Sequence, residues 1–166
     1  MPDSRIINDK DIRILNIIQN DGRSANVDIA KRLGMAPSGV LERIRKLQKR
    51  GVIRGYEARI DPEALGLGMV AFVFVKTAES VGETGVARKI AEIPEVLEVH
   101  TLAGEDCYLV KVRVANPQDL SRLLRKRFGV FKSIRSTRTS IVLDTFKETA
   151  KLPLPEVKQK RGRRGE

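Results

Sequence analysis

The sequence predicts an α+β protein made of an N-terminal helix-turn-helix domain and a C-terminal ferredoxin-like βαββαβ domain. Three short segments with apolar residues at helical spacing open the chain, and each is followed by a glycine. Beyond residue 62, strand-like and helix-like patterns follow one another in the order βαββαβ. We therefore predict a helix-turn-helix domain with a linker strand over 1–62, a second domain over 63–155 and a disordered basic tail over 156–166.

The three N-terminal helices have recognisable start and stop signals. Asn8 can cap the first helix, with Asp11 placed three residues later as in a capping box. The second helix stops at Gly34. The third begins at Pro37, a favoured first helical residue, and closes at Gly51. The residues that follow, around Tyr56, alternate apolar and polar and predict the short linker strand.

The second half of the chain predicts a sheet that is covered on both faces. Its strands are expected over 69–75, 96–102, 107–114 and 134–146, and its helices over 82–93 and 117–128. Residues 69–75 are apolar on both faces, which is typical of a strand buried on both sides. Two helices cover only one face, so we predict a homodimer formed by sheet-on-sheet packing. The alternative is that the linker strand and the tail cover that face.

Residues 28–40 fit the spacing of a helix-turn-helix unit. Ala30 is the small residue that the crossing of the two helices requires, and Gly34 suits the tight turn four residues later. Six residues further on, Val40 is the apolar residue that fixes the second helix against the first. The second helix can then lie in the major groove of DNA with its N-terminal residues toward the base edges.

The exposed residues of this unit are the candidates for DNA binding. Ser38 can reach a base edge or a phosphate, and Arg43 is long enough to bind guanine bidentately. Phosphate contacts are expected from Lys46, Arg50 and Arg54. The other candidates are Lys31 and Arg32 on the preceding helix, which crosses the backbone, and Gly39 and Arg45 on the second helix. The alternative interpretation is a solvated charged face on an ordinary helical hairpin.

The chain resembles the leucine-responsive regulatory protein/AsnC family, the feast/famine regulators. The resemblance rests on ordered segments over about residues 8–152: 8–15, 21–23, 40–47, 51–56, 94–96, 104–106 with 111–112, and 137–142. It implies a winged-helix-like N-terminal domain, a βαββαβ effector domain, and dimers that assemble into octamers or other larger oligomers. It also implies amino acids as effectors, bound in the cleft between neighbouring dimers.

The resemblance places the effector site in two segments, 101–106 and 137–140. Gly104 allows backbone amides to approach a carboxylate, Asp106 can take an ammonium group, and threonine hydroxyls can donate or accept. The residues implied are Thr101, Gly104, Glu105, Asp106, Thr137, Thr139 and Ser140. Cys107 stands where many members have an acidic or small polar residue. The alternative for this loop is a plain tight turn between strands.

Composition limits the remaining possibilities. The net charge of +11 attracts polyanions such as duplex DNA. With one cysteine and one histidine, Cys107 and His100, no disulfide can form within the chain, and we expect no metal site, cofactor or catalytic set. The longest apolar run is too short to span a membrane, so we expect a cytoplasmic protein. A DNA-binding transcription regulator modulated by a small molecule is predicted; the rivals are an architectural, nucleoid-type protein and an enzyme.

Overall fold

The structure is a computed structural model that describes residues 7–80, 82–104, 107–155 and 157. Its contacts group the chain into two units, one formed by Met1–Ala58 with Glu148–Glu166 and the other by Arg59–Lys147. This grouping differs from the predicted boundaries, since residues 148–155 join the helical unit. The tail predicted over 156–166 lies outside the described residues, apart from Val157.

The first unit is built on three helices. They are α1 (Asp9–Asn20), α2 (Asn26–Leu33) and α3 (Pro37–Lys49). The capping box of α1 is confirmed: the backbone N–H of Asp11 donates to the Asn8 side chain, and the Asn8 N–H donates to the Asp11 carboxylate, each at 3.1 Å. Each pairing satisfies one N–H group that a helix start otherwise leaves unbonded.

The turn between α2 and α3 forms as the spacing predicts. Gly34 adopts φ +63° and ψ 43°, a left-handed conformation in which Cβ-bearing residues are strained. The N–H groups of Gly34 and Met35 both donate to the Ala30 carbonyl oxygen, which closes α2. Ala30 and Val40 are fully buried between the helices, in one cluster with Ile14.

The linker strand predicted around Tyr56 does not form within one chain. No strand is assigned between residues 52 and 60, and every strand of the described chain belongs to the sheet of the second unit. Alternating polarity does not by itself supply a neighbouring strand to pair with. The Tyr56 ring instead lies beside Gly22, where an added Cβ would come within 3.1 Å of it.

The second unit is one antiparallel sheet with helices. After a 3₁₀ turn at Glu63–Leu65, its elements are β1 (Met69–Thr77), α4 (Gly85–Ala91), β2 (Val96–Thr101), β3 (Tyr108–Val114), α5 (Pro117–Leu123), a π-helix (Leu124–Phe128) and β4 (Ile134–Ile141). The strand order is β2-β3-β1-β4 with all pairs antiparallel, which confirms the ferredoxin-like prediction.

Two predicted elements differ in length from the observed ones. The last strand ends at Ile141 rather than at residue 146, because its neighbour β1 begins at Met69. The Val142 N–H still donates to the Val70 carbonyl oxygen, and beyond this bond β1 has no further residues to pair with. The helix predicted over 117–128 changes at Leu123 from α-helix to π-helix. No helix among the described residues is long and apolar enough to cross a membrane.

The sheet has one covered and one open face. On the covered face, Val73 and Val75 of β1 and Val110 and Val112 of β3 are fully buried, in one cluster with residues of α4 and α5. On the other face the neighbouring side chains of the same strands, such as Phe72, are only half-buried. Within one chain the described residues therefore leave Phe72, Phe74 and Leu109 partly exposed on this face.

The C-terminal segment returns to the first unit. The side-chain amide of Gln19 both donates to the Leu152 carbonyl oxygen and accepts from the Leu152 N–H, each at 3.1 Å. The Lys151 ammonium donates to Asn20 at 2.8 Å. The end of α1 thus holds residues 151–152 by three hydrogen bonds.

An ion pair joins α1 to α3. Arg43 Nη1 lies 2.7 Å from Asp11 Oδ1, and the same atom donates to Asn8 at 3.3 Å. The Asp11 side chain is 9% exposed and that of Arg43 is 30% exposed. A carboxylate this well buried needs a partner, because an unpaired buried charge is strongly destabilising.

We expect a double-mutant cycle on Asp11→Ala and Arg43→Ala to give a coupling energy of about 1–2 kcal/mol in the free energy of unfolding, since the pair is a charged hydrogen bond shielded from water. Urea denaturation of the DNA-free protein measures it.

The matched control is the cycle on Asp119 and Arg122, which are also 2.7 Å apart but lie on the surface. For that pair we expect a coupling of about 0.5 kcal/mol or less. Equal coupling energies in the two cycles would contradict the structural role of Arg43.

Candidate nucleic-acid interface and ligand site

Helix α3 has one anchored face and one exposed face. Val40, Ile44 and Leu47 are buried and hold the helix against the rest of the unit. At 3.6 residues per turn the opposite side is a single polar face. It carries the exposed residues Ser38, Glu42, Arg45, Lys46 and Lys49. The helix is thus fixed on one side and open to a DNA groove on the other.

The predicted DNA-binding residues fall into three places. Ser38, Arg45 and Lys46 lie on the exposed face of α3. Gly39, Arg43 and Arg50 line a groove of about 620 Å³ beside it, together with Asn8, Asp11, Met35, Glu42, Lys46 and Leu47. Lys31 and Arg32 are exposed in the last turn of α2, and Arg54 is exposed beyond the end of α3.

Sequence reasoning missed Lys49 as a candidate. It lies three residues after Lys46 and four after Arg45, and this spacing places all three on one side of a helix. The i, i+3, i+4 pattern was therefore a signal that could have identified it.

Glu42 and Lys46 form an ion pair on the exposed face of α3. Their Oε1 and Nζ atoms are 2.5 Å apart. The hydrogen bond from Lys46, followed by its positive charge, lowers the pKa of the Glu42 carboxyl group. Glu42 therefore stays ionised at neutral pH and partly neutralises Lys46 in the absence of DNA.

Arg43 is occupied in the DNA-free protein. Its guanidinium group faces the Asp11 carboxylate in the groove, not the exposed face of α3. Its predicted guanine contact stays a prediction and would require the side chain to leave Asp11. No sequence signal shows this pair, since the two residues are 32 positions apart.

The first residues of the two predicted effector segments, Thr101 and Thr137, lie at the same end of the sheet. Thr101 pairs with Tyr108, Tyr108 with Val75, and Val75 with Thr137, so these four residues form one row across the four strands. Neighbouring strands are about 4.8 Å apart, so Thr101 and Thr137, at the two edges, are separated by roughly 14 Å. One small molecule cannot contact both of these hydroxyls in the same chain.

The structure separates some of the other predicted effector residues. Thr139 lies on the same face of β4 as Thr137, two residues along, whereas Ser140 pairs with Phe72 and belongs to the open face. Gly104 has φ +155°, which Cβ-bearing residues rarely adopt. Glu105 and Asp106 lie outside the described residues.

Cys107 closes the loop of the predicted effector site. Its N–H donates to the Val75 carbonyl oxygen at 3.0 Å, and its carbonyl oxygen accepts from the Leu102 N–H at the same distance. Its sulfur lies 3.4 Å from the Thr77 N–H, and the residue is half-buried against the core. These contacts hold the base of the loop on β1.

Tyr108, the next residue, fixes the start of α4. Its single hydroxyl hydrogen is shared between two acceptors, the Glu79 carboxylate at 2.9 Å and the Glu83 carbonyl oxygen at 3.1 Å. Glu79 in turn accepts from the Val86 N–H at 2.8 Å. Burial, and then the neighbouring carboxylates, raises the pKa of Tyr108 to about 12, so the phenol stays protonated and keeps donating.

Two family models match the chain. Residues 7–54 match a winged helix-turn-helix DNA-binding model, and residues 70–152 match the Lrp/AsnC ligand binding domain. The first range contains α1 to α3, and the second contains the sheet except Met69, the first residue of β1.

Individual proteins give the same result. The HTH-type transcriptional regulator FL11 of Pyrococcus horikoshii is 42% identical over 144 residues, 87% of this chain and 94% of that protein. The leucine-responsive regulatory protein of Escherichia coli is 33% identical over 146 residues, 86% of this chain and 88% of that protein.

Solved structures agree with these relatives. A Neisseria meningitidis transcriptional regulator in complex with L-Met superposes with a TM-score of 0.82 at 30% identity, covering 89% of this chain and 96% of that one. A feast or famine regulatory protein of M. tuberculosis complexed with L-methionine gives 0.81 at 34% identity, covering 89% and 99%. The chain belongs to the Lrp/AsnC family of DNA-binding transcriptional regulators.

Proposed function

We propose that the protein acts in the cytoplasm as a homodimer, or as an octamer or other assembly of dimers, that reads pseudo-palindromic DNA. Two copies of α3 would occupy successive major grooves, and an amino acid at the end of the sheet would change DNA binding or assembly. The observation that carries the proposal is α3 itself, anchored by three buried side chains and polar on its opposite face.

The exposed face of α3 combines groups for base reading with groups for phosphate binding. Arg45 lies in the middle of that face, and its guanidinium can bind guanine bidentately. Lys46, Lys49 and Arg54 supply positive charge for phosphates, which fix position without reading sequence. Ser38 lies in the first turn, where the helix N-terminus favours an anion.

We expect selection from random duplexes at physiological salt to yield a pseudo-palindrome with half-sites about one helical turn apart. Arg45→Ala should lower affinity for that site about 10-fold and relax the base preference at one position per half-site. Lys46→Ala should weaken binding to all sequences alike. An Arg45→Ala protein with unchanged affinity and preference would contradict this assignment, and enrichment of A·T-rich or flexible DNA alone would indicate an architectural protein.

The open face of the sheet supports the dimer. Phe72 and Phe74 of β1 and Leu109 of β3 lie side by side on it, since Phe74 pairs with Leu109. The Arg138 guanidinium lies 3.9 Å from the centroid of the Phe74 ring, and this cation–π contact favours one orientation of both side chains on the open face. A second copy of the same sheet would bury these apolar side chains.

Phe72→Glu should convert the wild-type dimer or larger oligomer into a monomer near 18.6 kDa, because it places a charge in the proposed interface. Sedimentation equilibrium measures the mass, and circular dichroism reports whether the fold persists. Val130→Glu is the control, since it also replaces an exposed apolar residue, 64% exposed, outside the open face. A folded Phe72→Glu protein with the wild-type mass would refute the interface.

The geometry of the sheet end supports an effector site shared between copies. Thr101 and Thr137 lie too far apart in one chain to bind the same small ligand. A neighbouring copy can place its own loop opposite and complete the cleft. The two relatives solved with L-methionine carry a ligand of suitable class, a zwitterion whose carboxylate and ammonium suit backbone amides and hydroxyls.

Titration calorimetry should detect binding of L-methionine or another amino acid to the wild-type protein. Thr101→Val keeps the shape of the side chain but removes its hydroxyl, and should weaken binding about 5- to 10-fold through loss of one hydrogen bond. Thr145→Val is the control, because Thr145 is exposed and lies outside the predicted site. Absence of binding to every amino acid tested would refute the effector proposal without touching the DNA-binding assignment.

A further inference from the structure

The second unit contains a long stretch that is basic and free of acidic residues. Between Asp119 and Asp144 the sequence has no carboxylate side chain and seven basic residues. They are Arg122, Arg125, Lys126, Arg127, Lys132, Arg135 and Arg138. By contrast, residues 63–116 contain five basic and eight acidic residues. The positive charge of the second unit is therefore concentrated on α5, the π-helix and β4.

The π-helix turns three consecutive cations toward solvent. Leu124 and Phe128, at its two ends, pack in the core cluster, so the residues between them face outward. Arg125, Lys126 and Arg127 are all exposed. Single π-turns in helices are frequently found at functional sites.

The end of this π-helix tolerates only glycine. The Gly129 N–H donates to the Leu124 carbonyl oxygen at 2.9 Å, which closes the wide turn. A Cβ at position 129 would lie 2.5 Å from the Arg125 carbonyl oxygen, well inside van der Waals contact. The backbone that presents the three cations is therefore tightly fixed.

Among the described residues, most of these cations have no acidic partner. Arg122 is paired with Asp119 and Arg138 lies over the Phe74 ring. The described residues provide no ion pair for the other five, which we call the basic surface: Arg125, Lys126, Arg127, Lys132 and Arg135. Two tight turns, in which Phe131 donates to Phe128 and Ile134 donates to Phe131, keep the second part of this surface close to the π-helix.

We propose that the basic surface is a second DNA contact, which holds the phosphate backbone of the duplex that α3 reads, outside the bases contacted by α3. This inference rests on DNA binding by the first unit. That binding keeps a duplex close to the second unit and raises the local concentration of phosphate. An array of Lys and Arg without acidic neighbours suits such a polyanion, in which each strand carries one charge per ~3.4 Å.

The side chains favour duplex DNA over other polyanions. Single-stranded nucleic acid is bound on exposed aromatic side chains that stack with bases, whereas the aromatic residues next to the basic surface, Phe128 and Phe131, are packed against the core. A membrane surface is bound by a basic face with a broad apolar face beside it, whereas Val130 is the one exposed large apolar residue described between residues 120 and 140.

The test compares Arg125→Gln/Lys126→Gln with Arg88→Gln/Lys89→Gln. Both double variants remove one arginine and one lysine, adjacent and exposed on a helix of the second unit, but only the first pair lies on the basic surface. Binding is measured on two duplexes at salt concentrations from about 50 to about 200 mM, a range over which affinity that depends on phosphate contacts falls steeply. One carries only the selected site, and the other carries the same site with long flanks.

On the long duplex, the Arg125/Lys126 variant should bind at least about 10-fold more weakly than wild type at low salt. Its plot of log affinity against log salt should be shallower by roughly 2–4, because each phosphate contact contributes about 0.9 and a dimer would lose up to four. On the short duplex it should match wild type. The Arg88/Lys89 control should match wild type on both duplexes.

Three outcomes would overturn the proposal. In the first, the Arg125/Lys126 variant retains wild-type affinity and salt dependence on the long duplex, or loses affinity equally on both. In the second, it binds DNA normally but loses binding to vesicles that contain anionic phosphatidylglycerol, which would assign the surface to a membrane. In the third, the wild-type protein binds neither duplex, and DNA binding by the first unit fails as well.

Discussion

The central strand β1 is the constraint on which the second unit depends. It pairs with β3 along one edge and with β4 along the other, so its register fixes both neighbours. Its side chains alternate between the helix-covered core, as at Val73, and the open face, as at Phe72. A shift by one residue would exchange the two sets, which strongly disfavours any other register. The same register places Val75 in the row that ends at both predicted effector segments.

The helical unit is governed by a comparable rule. Helix α3 can present a polar face only because its other face is fixed by Val40, Ile44 and Leu47. The left-handed turn at Gly34 sets where that helix starts, and the Asp11–Arg43 pair ties it to α1. The polar face of α3 is thus held in position by its apolar face before any DNA is bound.

Much of this architecture could be predicted from local sequence patterns. Helical spacing, the capping box at Asn8 and the turn at Gly34 are local, and the order of strands and helices sufficed for the ferredoxin-like domain. The linker strand does not form within one chain, and alternation around Tyr56 says nothing about whether a pairing edge exists. The strand end at Ile141 depends on where β1 begins, which only the register reveals.

The candidate site was less predictable than the fold. Exposed cations such as Arg45 and Lys46 follow from helical periodicity, and Lys49 could have been found in the same way. The role of Arg43 could not, because its partner comes from a helix 32 residues away. Likewise, only the pairing of four strands shows that Thr101 and Thr137 share a row while lying at opposite edges of the sheet.

The hold of Gln19 on Leu152 has a topological consequence. The chain leaves the helical unit after Ala58 and enters it again at Glu148, so the ferredoxin-like unit is an insertion with two covalent crossings. A single backbone cut at either crossing would leave the two units connected through the other. A change in β4 also has a short route to α1, through the few residues that separate Ile141 from Lys151. The helical unit is therefore joined covalently to the ferredoxin-like unit at the C-terminal crossing as well as at the linker.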